Sequence, residues 1–129
     1  MLQRLLWIAA AGALGTLARY GISGLGYRWH AGGFPVGTLV VNVLGCLLFG
    51  CLWSLAEHRA GVTTETRMIV TVGFLGAFTT FSTFAFETAQ FLQEARPAMA
   101  VVNLVAQNLA GVLAVFGGAA LGDRFFAAG

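Results

Sequence analysis

Four apolar runs divide the chain: about Leu5 to Leu25, Phe34 to Leu55, Met68 to Phe91 and Ala98 to Leu121. Each is long enough to cross roughly 30 Å of hydrocarbon as a helix. The stretches between them are short: Gly26 to Gly33, Ala56 to Arg67, and Gln93 to Pro97. The pattern predicts an all-α membrane protein whose four transmembrane helices form a single domain over residues 1–129. No soluble domain, linker or low-complexity tail is expected. Tyr27, Trp29 and Trp53 fall near predicted span ends, where an aromatic belt belongs. The N-terminal Met1-Leu2-Gln3-Arg4 and the apolar residues after it mimic a secretion signal. The run continues past Ala11 and three more follow, so a retained helix is expected.

The third run departs from a lipid-facing pattern. Residues 73–84 read Gly-Phe-Leu-Gly-Ala-Phe-Thr-Thr-Phe-Ser-Thr-Phe, with two glycines, four hydroxyl side chains and four phenylalanines at midspan. Broken or polar backbone at membrane depth is tolerated only where protein buries it or a watery path lines it. The segment marks a pathway, a packed subunit axis, or both. The glycines and hydroxyls predict a loss of regular helical hydrogen bonding between about Gly76 and Thr80. Such an interruption releases backbone carbonyls, and two copies on a two-fold axis can offer them as an oxygen cage to a hard cation. A helix that tolerates both glycines unbroken is the other reading.

Composition agrees with the membrane assignment. The chain is 58% apolar and 9% charged, with a mean hydropathy of +0.83. A soluble domain carries roughly a quarter charged residues. All seven basic residues are arginines, and a net charge of +2 spread along the chain gives no basis for nucleic-acid binding. Cys46 and Cys51 sit five apart in one helix, point to different faces, and read as small apolar residues. His30 and His58 lie in connectors, far apart in sequence. No catalytic set or metal-spaced cluster is visible, Gly24-Leu25-Gly26 is too slight for a phosphate loop, and no nucleotide site is expected.

Arginine placement sets orientation only weakly. Arg4, Arg59, Arg67 and Arg124 fall on one side of the membrane. Arg28, Arg96 and, if it reaches the interface, Arg19 fall on the other. A chain that inserts one way usually shows a stronger bias. The near balance permits both orientations and hence an antiparallel dimer, while an ordinary single orientation stays open. Four short helices are few for a complete transport path, and closed two-fold symmetry is the commonest enlargement. Glycines on the first, second and fourth spans allow close helix approach.

The intramembrane polar residues are the candidates for chemistry. Thr38 and Asn42 share one face of the second span. Thr80, Thr83 and Glu87 form a stripe on the third, beside Phe81, Phe84, Thr88 and Phe91. Asn103 and Gln107 share a face of the fourth, with Asn108 next to it. Hydrogen bonding between helices accounts for any one of them. The set as a whole supplies amide and hydroxyl donors, and phenyl edges are electropositive. Together these groups can replace an anion's hydration water. A cation path would want rings of acids, and only Glu87 approaches membrane depth.

These residues resemble the Fluc (CrcB) fluoride channels of microbial membranes over nearly the whole chain. Gly37-Thr38-Leu39-Val40-Val41-Asn42 resembles the family's second-helix motif. Residues 73–84, followed by Glu87, resemble its third-helix signature, and Arg19 falls at its first-helix arginine. The resemblance implies a dual-topology antiparallel homodimer in the cell inner membrane, with a broken third helix, two fluoride pores and passive export. It implies that Phe81 and Phe84 line the pores, with Asn42, Ser82 and Thr83 as donors, Thr38 and Asn108 along the path, and Arg19 at a vestibule. It also implies a structural Na⁺ held by the main-chain carbonyls of Gly76 and Thr79 from both subunits. Aligned this way, Leu104 and Val112 stand where some relatives carry hydroxyls.

Two rival classes remain from sequence. A small proton-coupled multidrug or guanidinium exporter needs a membrane-embedded carboxylate, typically in its first helix, and the first span here has none. An accessory or scaffold membrane protein has no need of Thr-Thr-Phe-Ser-Thr-Phe beside Asn42.

Overall fold

The computed structural model describes residues 1–27, 33–58 and 62–126. Arg28, Trp29, His30 and Arg59, which entered the orientation and belt expectations, lie outside them. The described residues form helices α1 (Leu2–Tyr27), α2 (Val36–His58), α3 (Thr64–Met68), a π-helical segment (Ile69–Leu75), α4 (Gly76–Phe78), α5 (Phe81–Gln93) and α6 (Pro97–Phe126). Between Thr64 and Gln93 these pieces make one interrupted span. Four spans are long and apolar enough to cross a membrane: Leu2–Gly24, Val36–His58, Thr64–Gln93 and Pro97–Phe126. The chain is a multi-pass membrane protein, and the four apolar runs match the four spans to within a few residues at each end, the second starting at Val36 rather than Phe34.

Ion pairs fix which ends lie together. Arg4 Nε sits 3.3 Å from Glu65 Oε1, joining the start of α1 to the start of the third span. His58 Nε2 sits 3.1 Å from Asp123 Oδ1, joining the ends of α2 and α6. Ser54, buried one turn before His58, donates to the same Asp123 oxygen at 2.6 Å. The up-and-down arrangement follows.

Glycine governs how closely the helices approach. α2 and α6 pack along much of their length. A Cβ on Gly50 would lie 2.0 Å from the Val115 carbonyl oxygen, and one on Gly118 would lie 2.0 Å from that of Leu47. Backbone thus meets backbone in both directions, as small residues permit in membranes. On the other side α1 packs against the π-helical segment, where a Cβ on Gly15 would lie 2.3 Å from the Phe74 oxygen. Cys46 and Cys51 are free and half-buried.

The third span breaks at Thr79 and Thr80, whose ψ angles of 160° and 106° are extended. Hydroxyls end one helix and begin the next. The Thr79 N–H and Oγ1–H both donate to the Leu75 carbonyl, at 3.0 and 2.9 Å. Thr80 Oγ1 accepts from the Thr83 N–H at 3.2 Å, an N-cap for α5. The interruption falls inside the predicted window. The seven π-helical residues before it were not anticipated; such segments recur at functional sites.

Candidate functional site

The extended residues at the break need partners, because lipid offers none. Asn42, projecting from α2, supplies them. Its Oδ1 accepts the Thr80 N–H at 2.8 Å, and its Nδ2 donates to the Thr80 carbonyl at 3.2 Å. The second Nδ2 hydrogen goes to Gln107 Oε1 on α6 at 3.1 Å. Both donors of Asn42 are therefore engaged by protein. A backbone N–H can only donate, so the Thr80 N–H fixes which end of Asn42 is oxygen. That in turn fixes Gln107, which must present Oε1 to Asn42 and leave Nε2 on its far side. Gln107 Nε2 is buried and has no protein acceptor among the described residues.

Other polar candidates brace helices. Thr38 Oγ1 donates to Glu87 Oε1 at 2.5 Å, linking α2 to α5. Asn103, fully buried, donates from Nδ2 to Thr88 Oγ1 at 2.9 Å, and Thr88 Oγ1–H donates to the Phe84 carbonyl at 2.8 Å. Thr83 Oγ1 lies 2.8 Å from Thr80 Oγ1, and Ser82 Oγ lies 3.4 Å from the same atom. Interhelical hydrogen bonding thus accounts for Thr38, Asn42 and Asn103. Asn108 is exposed and donates to the Leu104 carbonyl of its own helix at 2.7 Å.

Two cavities flank the break. The first, of about 670 Å³, is lined by Arg19, Thr38, Thr80, Thr83, Glu87 and Arg96, among others. Arg19 is half-buried there and forms no ion pair among the described residues. The second, of about 390 Å³, is lined by Asn42, Thr80, Phe81, Phe84, Gln107 and Asn108, among others, and by no charged residue. Thr80 lies on both walls. The anticipated path residues therefore divide between the two cavities, except Ser82, which is exposed beside them and lines neither.

Phe81 and Phe84 meet edge to face, with ring centroids 5.4 Å apart and planes at 68°. Phe84 is 6% exposed and Phe81 is 77% exposed. One ring belongs to the core, and the other stands out beside the cavity. On α6 the buried face is Asn103, Gln107 and Gly111, whereas Leu104 and Val112 face outward. The hydroxyl positions sought at Leu104 and Val112 are thus one residue off the polar face. Gln107 is the site residue that sequence reasoning undervalued. Its spacing of four from Asn103 carried the signal.

The break also frees main-chain oxygens. In an unbroken helix the Gly76 carbonyl would accept from Thr80 N–H, and that of Thr79 from Thr83 N–H. Those donors go to Asn42 Oδ1 and Thr80 Oγ1 instead. No other hydrogen bond to either oxygen occurs among the described residues. Unpaired carbonyl oxygens are ligands for a hard cation, so the donor set fits Na⁺.

A family model described as "CrcB-like protein, Camphor Resistance (CrcB)" matches residues 6–119. A relative from Nitrosococcus oceani, named "Fluoride-specific ion channel FluC", is 55% identical over 116 residues, covering 90% of this chain and 93% of its own. Relatives of the same name from Solidesulfovibrio magneticus and Maridesulfovibrio salexigens are 50% and 44% identical. They cover 95% and 94% of this chain, and 98% and 96% of their own.

Proposed function

The chain belongs to the CrcB-like family, and on that premise we propose that it is a fluoride channel giving passive export of the ion. The observation that carries the mechanism is the uncharged cavity holding Gln107 and the Phe81–Phe84 pair. Fluoride must exchange its water for other donors. Gln107 Nε2 has donor hydrogens without a protein acceptor among the described residues, and phenyl edges add a weaker positive surface. Asn42 acts by fixing Thr80 and turning Gln107. Arg19, in the larger cavity, raises the local anion concentration without sitting at the narrow part of the path. Ser82 and Thr83 extend the donor set beside Thr80.

The conducting unit in this reading is an antiparallel homodimer with two pores. The support is physical: freed carbonyls at Gly76 and Thr79 and an exposed Ser82 hydroxyl at midspan need more than lipid around them. The carbonyls of Gly76 and Thr79 from two copies would hold Na⁺, which supplies positive charge that neutralises the oxygen cage. Labelling of cysteines placed at the two termini should reach each terminus from both sides of the membrane. One uniform orientation contradicts the dimer. Flux that follows an imposed Na⁺ gradient contradicts a structural ion.

The function itself is tested in cells stripped of fluoride export. The chain should restore growth in fluoride, and unchanged sensitivity with normal expression would contradict the reading.

A further inference from the structure

A third cavity, of about 380 Å³, opens between α2 and the start of the third span. It is lined by Phe49, Leu52, Trp53, Arg67, Thr71 and Val72. We propose that it binds an anionic phospholipid of the surrounding bilayer, with the phosphate on Arg67 and an acyl chain along Phe49, Leu52 and Val72.

Depth supports this occupant. Arg67 precedes the break at Thr79 by twelve residues, at most about 18 Å of helix, because the π-helical residues among them rise less than the 1.5 Å of an α-helix. Half the hydrocarbon thickness is about 15 Å, so Arg67 stands at headgroup level if the break lies near midplane. Asn42 on α2 is level with the break through its bonds to Thr80. Counted from there, Phe49 is about 10 Å out and Trp53 about 17 Å out. The aromatic and aliphatic wall therefore lies at acyl depth, and Trp53 lies in the interface where tryptophan belongs.

Charge supports it too. The neighbouring Arg4 is paired with Glu65, but no carboxylate pairs with Arg67 among the described residues. The Arg67 guanidinium instead lies 5.9 Å from the Trp53 ring centroid. A cation–π contact at this distance holds the guanidinium near the ring, and its N–H groups are the donors a phosphate takes. An uncompensated cation above an apolar slot matches an anionic lipid's headgroup and chain. The site is independent of what the pore conducts.

The test uses Trp53 as its own reporter. A variant carrying Trp7→Phe and Trp29→Phe is reconstituted in phosphatidylcholine with a small fraction of brominated phosphatidylglycerol or brominated phosphatidylcholine. The phosphatidylglycerol should quench Trp53 at lower mole fraction, by the roughly fivefold preference that one interfacial arginine confers. Adding Arg67→Gln should remove the difference. Equal quenching by the two lipids before that change would overturn the proposal. So would protection of Trp53 from both, which would mean that a second copy covers the groove.

Discussion

The Asn42 side chain holds both backbone groups of Thr80, accepting its N–H at 2.8 Å and donating to its carbonyl at 3.2 Å. One amide thus does for the broken third span what a neighbouring strand does in a sheet. The consequence is a break with a defined shape, with Gly76, Thr79 and a fixed Gln107 all lining the same cavity.

Replacing Asn42 should therefore cost stability as well as transport. Asn42→Ala leaves the Thr80 N–H and carbonyl unpaired, at about 1–3 kcal/mol for each buried group. Asn42→Asp keeps an acceptor but sets carboxylate oxygens against Thr80 O and Gln107 Oε1. Both variants should lower the melting temperature in detergent along with fluoride flux. An Asp variant that melts like the parent but does not conduct would make Asn42 a donor to the ion and not a brace.

Gln107→Glu separates the two faces of Gln107. One carboxylate oxygen can still accept from Asn42, but the buried Nε2 donor becomes an acceptor. Fluoride flux should fall at least about tenfold, the effect of roughly 1.4 kcal/mol, with folding retained. Parental flux at high pH would show that Gln107 only packs.

Phe81→Ile and Phe84→Ile should both reduce fluoride efflux, because an aliphatic side chain lacks the electropositive ring edge. Their stability costs should differ. Phe84 is buried and Phe81 exposed, so only Phe84→Ile should melt clearly earlier. Wild-type flux in both would assign the rings to packing alone.

The α2–α6 contact gives a sharper structural test. Gly118→Ala places a methyl 2.0 Å from the Leu47 oxygen, and backbone must move. Gly111→Ala meets only Cys46 Sγ at 3.5 Å, an ordinary contact. The first should destabilise by about 1–3 kcal/mol, as overpacking does, and the second by much less. Similar melting of the two variants would contradict the packing described.

The four spans were legible because a bilayer demands long apolar runs, and the break because glycines and hydroxyls cluster at residues 76–80. Phe81 and Phe84 stood out by resemblance and by density. What sequence could not show was hydrogen-bond assignment. Asn42 and Gln107 are equally plausible donors until the Thr80 N–H decides which end of each amide points where. On α6 the spacing of Asn103 and Gln107 marked the face that is buried, whereas the resemblance drew attention to Leu104, Asn108 and Val112, one residue round the helix. The π-helical segment was not legible because Thr71 and Gly73 in Ile69–Leu75 are equally at home in an ordinary α-helix packed against its neighbours.

The most direct test is ion efflux from liposomes holding the purified protein. With an electrical shunt present and no Na⁺ gradient, trapped fluoride should leave rapidly while trapped chloride stays. Retention of fluoride, or equal release of chloride, would contradict a fluoride path built on Gln107, Phe81 and Phe84.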